Sequence, residues 1–327
     1  LPRILEGDDI ITKDESVAEK FNDFFANSAG NLNIKGFNND YIPNENYDFI
    51  TNAVEKFKNH PSILLIKSKV SVDNMFSFTP ITIDGMEREI RRLNTHKPTT
   101  FNNIPAKLLV NNLDICSPTL CKIFNDSIKN AVFPHSLKLA DITPCHKKGD
   151  TTDKSNYRPI SILPTVSKLF ERIMYEQAAT YMNSYFSPYL CGFRSGYGTQ
   201  YSLIRMLERW ETALDNKKIA GALLTDLSKA FDCRDYGLLI AKLEAYGFNN
   251  ISLALVSSYL TGRKQRTKIN NQFSDWNDIT TGVPQGSILG PFKFNVFIND
   301  IFWVIEDENL TNFPDDNTPF AIGIDVI

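Results

Sequence analysis

The sequence predicts an α+β fold, and three observations carry that prediction. Apolar residues recur at helical spacing through 168–185 (Leu169, Ile173, Met174, Tyr181, Met182) and through 199–214 (Leu203, Ile204, Leu207, Trp210, Leu214). Short strands punctuated by turn residues lie between and after them, at 138–163, 263–269 and 310–322. A charge-poor run, Ile219-Ala220-Gly221-Ala222-Leu223-Leu224, has the length of a strand buried on both faces. The chain of 327 residues shows no internal repeat and no low-complexity tract.

Composition bounds the function classes. Hydrophobic content is 42% and charged content 22%, as in ordinary globular proteins. No apolar run approaches the roughly 18 residues of a membrane helix, so no membrane partner is expected. A net charge of −3 leaves any nucleic-acid binding to local patches. Five cysteines (Cys116, Cys121, Cys145, Cys191, Cys233) lack C-x-x-C spacing and read as reduced core thiols. The opening at Leu1 rather than Met reads as a fragment of something longer.

Taken in order, residues 1–75 form an N-terminal extension. One amphipathic helix, capped at Asp14, carries Val17, Phe21, Phe24 and Phe25, and the Asn-rich remainder reads as linker. A short strand (Phe76, Phe78, Ile81) then leads into a helix capped by Asp84, and further helix is expected around 104–110 and 120–131. The hairpin at 138–163 turns through Lys147-Lys148-Gly149-Asp150 and returns through Asn156-Tyr157-Arg158-Pro159-Ile160-Ser161. It presents Lys147, Lys148 and Arg158 either to a common anion or simply to solvent. Cys191-Gly192-Phe193-Arg194 is a glycine-punctuated loop centred on Arg194.

The strand at 219–226 delivers Asp226 at its C-terminal end, a costly place for a carboxylate outside a site. A basic strand follows, Arg263-Lys264-Gln265-Arg266-Thr267-Lys268, with Asn270-Asn271 as its turn. Its alternating cations make a solvated face or a phosphate track. Gly282-Val283-Pro284-Gln285-Gly286-Ser287 opens a helix whose first N–H groups are available to an anion. Last comes Phe313-Pro314-Asp315-Asp316-Asn317, an acidic pair at a hairpin tip. Such a pair is a solvated turn or, because adjacent carboxylates repel, a cation site.

These motifs, in this order, resemble the reverse transcriptase domain of non-LTR, jockey-type (LINE-like) retrotransposons. The resemblance runs from about Phe76 to the end and more weakly includes residues 1–75 as the segment joining endonuclease to polymerase. It implies a right-hand polymerase fold, with fingers over about 76–215, a partial palm over about 216–327 whose small antiparallel sheet is flanked by helices, and no thumb. The implied activity is RNA-directed DNA synthesis by two-metal nucleotidyl transfer. Asp226, Asp315 and Asp316 would be the catalytic residues and hold two Mg²⁺ ions, with Mn²⁺ as a substitute. Lys147, Lys148 and Arg158 would grip the incoming triphosphate, Phe231 would exclude a 2′-OH, and Gln285 and Gly286 would line the nucleotide pocket. Arg194, Arg263, Lys264, Arg266 and Lys268 are the nucleic-acid-binding candidates. Partners would be an RNA template, a DNA primer or target and dNTPs, in the nucleus or a cytoplasmic ribonucleoprotein.

The sequence also departs from the family. Pro314 stands where Ala is usual, Thr100 and Asn102 replace Gly and Asp, Lys293 replaces Leu, and Tyr236 replaces a His. The strand pair after the acidic hairpin, the primer grip, thumb and endonuclease are not expected in this chain. The competing expectation is therefore a truncated, catalytically silent copy that at most binds nucleic acid. A group II intron maturase or a viral RNA polymerase fits the motifs less well. Proline at 314 is compatible with a strand end, so an intact fold with reduced activity is expected.

Overall fold

Two clusters of apolar side chains organise the protein, one large and shared by most helices, one small and closed by the N-terminus. A computed structural model describes residues 3–7, 9–27, 47–96, 104–226, 235–279, 282, 284–305, 310–313 and 316–323. The chain opens with the hairpin β1 (Ile4–Glu6) and β2 (Asp9–Ile11), followed by α1 (Asp14–Ala26), α2 (Tyr47–Phe57), α3 (Pro61–Lys69) and α4 (Ile83–Arg91). Next come α5 (Ala106–Asn111), α6 (Leu113–Asn130), β3 (Leu139–His146), β4 (Tyr157–Ile162), α7 (Thr165–Met182) and α8 (Thr199–Asp215). Then follow β5 (Ile219–Ala222), β6 (Thr225–Asp226), α9 (Tyr236–Ala245), α10 (Asn250–Leu260), β7 (Arg263–Ile269), β8 (Gln272–Phe273) and β9 (Asn277–Ile279). The chain closes with α11 (Leu289–Ile298), α12 (Ile301–Val304), β10 (Leu310–Phe313) and β11 (Asp316–Gly323). The outcome is an α+β fold of helices around small sheets.

Local chemistry sets the helix starts, and two caps differ from expectation. Thr82, not Asp84, caps α4, its hydroxyl accepting the Gly85 N–H at 3.1 Å while Asp84 sits in the first turn. Lys13 precedes α1 without a side-chain cap, and Asp14 instead accepts from Asn270 at 2.7 Å. Asp235 caps α9 through the Gly237 and Leu238 N–H groups, and Asn249 caps α10 through that of Ser252. The segment expected as a strand from Phe76 makes a single bridge, Phe76 to Phe248.

The large cluster joins α2, α3, α4, α6, α7, α9, α10 and α11. At its centre the Phe124, Phe170 and Phe133 rings stack, with centroids 4.3 and 5.0 Å apart. The stretch 47–69, read as linker, is thus largely helix, and Phe49, Ile50, Ala53, Ile63 and Ile66 are buried there because they recur at helical spacing.

The five-stranded sheet runs β4-β3-β7-β8, with β9 also on β7. Strands β3 and β4 are antiparallel, pairing Cys145 with Arg158, while β3 and β7 are parallel, pairing Asp141 with Arg266. Helix α1 closes one face of this sheet. Val17, Ala18, Phe21 and Phe25 pack with Ile4, Ile142 and Ile269, and Phe21 meets Tyr157 edge-on at 4.8 Å. Hydrogen bonds from Asn22 to Asp275, from Asp275 to Glu19 and from Asn277 to Asp23 fix the helix along β7–β9.

Candidate active site

The other sheet has the order β10-β11-β5, with β6 also on β11, and every pairing is antiparallel. Strands β10 and β11 form the hairpin expected around the acidic pair, with Phe313 opposite Asp316. Asp226, last residue of β6, is the register partner of Asp316, first residue of β11. Two carboxylate positions far apart in sequence thus become cross-strand neighbours. Asp315, Pro314 and Phe231 lie outside the described residues, as do Thr100 and Asn102.

The surroundings of this sheet correct two expectations. The run at 219–224 is not buried on both faces: Leu223 and Leu224 are 65% and 81% exposed. Both lie in the break between β5 and β6, outside the two strands, where the alternation that would bury one face is interrupted. Helix α8 likewise turns Leu203, Ile204, Leu207 and Leu214 outward. Its polar side meets the sheet instead. The Ser202 hydroxyl donates to the Asn312 carbonyl, and the Arg205 guanidinium donates to that of Leu310 while lying 3.3 Å over the Tyr189 ring.

The glycine-punctuated loop before α11 is held at several points. The Ser161 N–H, on β4, donates to the Gln285 carbonyl at 2.8 Å. Gly286 has φ +120°, and a Cβ there would stand 2.8 Å from the Ser161 carbonyl oxygen, so only glycine fits this approach. The Tyr236 hydroxyl donates to the Gly282 carbonyl. The first N–H groups of α11, expected to await an anion, are already occupied. Glu171 of α7, fully buried, accepts from Ile288 N–H at 2.6 Å and Leu289 N–H at 3.4 Å, and its other oxygen accepts from Tyr259 at 3.1 Å.

Sequence reasoning missed Glu171. A signal was present: within α7 it shares a helical face with Ser167, Met174 and Ala178, all buried.

The loop docks on the strand that also carries Arg158. Gln285 and Gly286 dock at Ser161, and Arg158 lies three residues earlier on the same strand, about 10 Å along it. Arg158 is exposed, as are Lys147 and Lys148 just past the end of β3. The Lys147 N–H donates to the Asn156 carbonyl, which extends the β3–β4 ladder toward the turn.

The nucleic-acid-binding candidates separate. Arg263 is 1% exposed, its guanidinium donating to the Tyr259 carbonyl and stacking 4.8 Å from that ring, so it faces the interior rather than a strand of nucleic acid. Arg194 also points inward. It donates to the Ser187 and Leu190 carbonyls and to Asn183 Oδ1, and covers the Tyr197 ring at 4.4 Å. That fork ties the loop to the end of α7. Lys264, Arg266 and Lys268 share the more open face of β7, as their alternation predicts. Two of them are matched by carboxylates: Lys264 by Asp278 at 3.1 Å and Arg266 by Asp141 at 2.8 Å. Among the described residues, no helix is long and apolar enough to cross a membrane.

A mixed fold that sets aspartates of two adjacent strands in register in one sheet, and docks a glycine loop on the strand of a basic hairpin in another, is of the class that polymerases share. Residues 145–324, more than half of the chain, match the reverse transcriptase (RNA-dependent DNA polymerase) family, and the chain belongs to that family. It is similar to the RNA-directed DNA polymerase from mobile element jockey of Drosophila melanogaster, 33% identical over 185 residues, which cover 56% of this chain and 20% of that protein. Two further proteins of the same organism, each named "Probable RNA-directed DNA polymerase" and assigned to the transposons X-element and BS, are similar as well. The X-element protein is 32% identical over 55% of this chain and 20% of its own length, and the BS protein 28% identical over 67% and 26%. The chain thus spans about a fifth to a quarter of these relatives. The non-LTR, jockey-type resemblance read from the motifs agrees with these names.

Proposed function

We propose that this chain carries the nucleotidyl-transfer centre of an RNA-directed DNA polymerase of the non-LTR type. The supporting observation is the register of Asp226 against Asp316 across two antiparallel strands. Cross-strand partners stand about 5 Å apart, a spacing at which two carboxylates repel unless a cation relieves them. Hard carboxylate oxygens are the donors Mg²⁺ prefers, so this donor set fits the metal the family uses. Asp226 and Asp316, joined by Asp315, would hold it. When bound, such a metal supplies charge neutralisation and activation of a hydroxyl nucleophile for phosphoryl transfer.

The chain's own residues would do the remaining work. Arg158, with Lys147 and Lys148 at the turn, would bind the triphosphate of a dNTP by charge-assisted contacts. Gln285 and Gly286, held on β4, would line the nucleotide pocket, and Phe231 would select against a 2′-OH. Lys264, Arg266 and Lys268 would contact the template or primer backbone, where each phosphate contact adds salt dependence. Fingers over about 76–215 and palm over about 216–327 are the corresponding division of the chain.

The test is primer extension on an RNA template by the parent chain and by Asp226→Asn and Asp316→Asn. Extension that requires Mg²⁺ and disappears in both variants, with thermal stability retained, is the expected result. Extension that survives either substitution would refute the proposal.

A further inference from the structure

We propose that Glu171 is a positioning residue for the nucleotide pocket: its buried carboxylate sets the Pro284–Ile288 loop by capping α11 from the neighbouring helix α7. This rests on the reading of Gln285 and Gly286 as pocket lining. The geometry is specific. The N-cap of α11, Ile288, offers no side-chain cap of its own. Ser287, just before the helix, accepts from the Gly290 N–H at 3.1 Å, and the Ile288 and Leu289 N–H groups are taken from outside, by Glu171 Oε2 at 2.6 and 3.4 Å. An acid at a helix N-terminus is favoured by the helix dipole, and more so without water nearby.

The carboxylate is itself held. Tyr259 donates to Oε1 at 3.1 Å. Burial, and after it the Glu171 charge, pushes the Tyr259 phenol well above its usual range, so the hydroxyl stays a donor. Arg263 and Lys293, both buried, lie 4.8 and 4.1 Å from the Tyr259 ring and place positive charge beside it. On the other side of the loop, Ser161 binds Gln285 and crowds Gly286. Gln285 thus sits between a strand tether at its own carbonyl and a helix tether that begins at the Ile288 amide. Loss of the second tether leaves the Ile288 and Leu289 N–H groups unpaired, Gly290 keeping its bond to Ser287, and frees the loop to pivot about Ser161.

The experiment uses the chain with Glu171→Gln, Glu171→Leu and Tyr259→Phe. It reads amide exchange of 284–290, exchange of α6, thermal midpoint, and the Kd of Mg·dGTP by calorimetry. Glu171→Gln keeps the shape and one acceptor but loses the charge. It should speed exchange at 284–290 roughly 10-fold, the scale of a lost charge-assisted hydrogen bond. It should weaken dGTP binding to a similar extent while α6 keeps its protection. Glu171→Leu should do more, and Tyr259→Phe less, because it leaves both amides on Oε2. Unchanged exchange at 284–290 in both Glu171 variants, or unchanged dGTP affinity beside a loosened loop, overturns the proposal. Uniform loss of protection across α6 and 284–290 in Glu171→Gln would also overturn it, as a merely structural effect. A parent chain that binds no dGTP instead overturns the underlying reading of the pocket.

Discussion

Asp226 and Asp316 are register partners across an antiparallel strand pair, each at the strand end nearest the acidic hairpin tip. Like charges directly opposite in a sheet destabilise it by about 0.2–1 kcal/mol. In EDTA, therefore, Asp226→Asn or Asp316→Asn should raise the thermal midpoint slightly. Mg²⁺ should stabilise the parent by mass action and the variants much less. Differential scanning calorimetry with and without Mg²⁺ checks this; equal metal stabilisation of parent and variants would remove the basis for a shared cation.

Cys145 offers a reporter for the basic hairpin, since it is exposed and is the register partner of Arg158. Maleimide should label Cys145 rapidly. Cys191 should resist, because burial both shields it and pushes its thiol up. Saturating Mg·dNTP should slow Cys145 labelling in the parent and leave Arg158→Ala unaffected. Labelling indifferent to dNTP in both would return the hairpin tip to solvent.

Lys293 is 2% exposed in the middle of α11, with its ammonium over the Tyr259 ring. A buried cation carries a desolvation cost that an apolar residue of similar length avoids. Lys293→Met should raise stability slightly, measured by urea denaturation. A loss of stability would show that the ring contact outweighs desolvation.

Gly286 is the place where the loop backbone touches β4. Gly286→Ala forces a Cβ against the Ser161 carbonyl at φ +120°, at a cost of about 1–3 kcal/mol. Because the loop can yield locally, the expected outcome is faster exchange at 284–290 and weaker dNTP binding with a modest change in thermal midpoint. Wild-type dNTP affinity in this variant would show that the close approach is incidental.

Alkaline pH should unfold the protein early. Burial is the leading cause that raises the phenols of Tyr181, Tyr246 and Tyr259 above their ordinary range. The folded chain then keeps protons that the unfolded chain releases above pH ~10, so stability is whole below that pH and falls above it. Lys242 works the other way. Burial lowers it, against the opposing charge of Asp300, and its contribution grows as pH rises toward the ordinary lysine value of about 10.4. Three groups outweigh one, and the midpoint should drop above pH ~10. Tyr246→Phe should flatten that slope by about 1.4 kcal/mol per pH unit; an unchanged slope would exonerate Tyr246.

Much of the site was legible because turn chemistry and carboxylate placement are local signals. Asp226 at a strand end and an acidic pair at a hairpin tip are visible in the sequence, and their order supplied the family. Burial was less legible. The apolar stripe of α8 predicts a core face, yet Ser202 and Arg205 make the contacts with the β10 backbone, because carbonyls there needed donors. Arg263 and Lys264 look equivalent in sequence, but the parity of β7 sends the first inward and the second outward. The capping of α11 by Glu171 joins residues more than a hundred positions apart, and no local pattern encodes that pairing.

The lid that α1 forms over the five-stranded sheet bears on how the protein can be handled. The match to the family model begins at residue 145, inside β3, whose first residues Leu139–Ile142 are the parallel partners of β7. A fragment trimmed to that span would lose α1 and those residues, baring Ile269 and the backbone edge of β7. Unpaired strand edges with apolar flanks recruit other chains. Material cut at that match should therefore self-associate, and the smallest well-behaved piece must include polypeptide upstream of it.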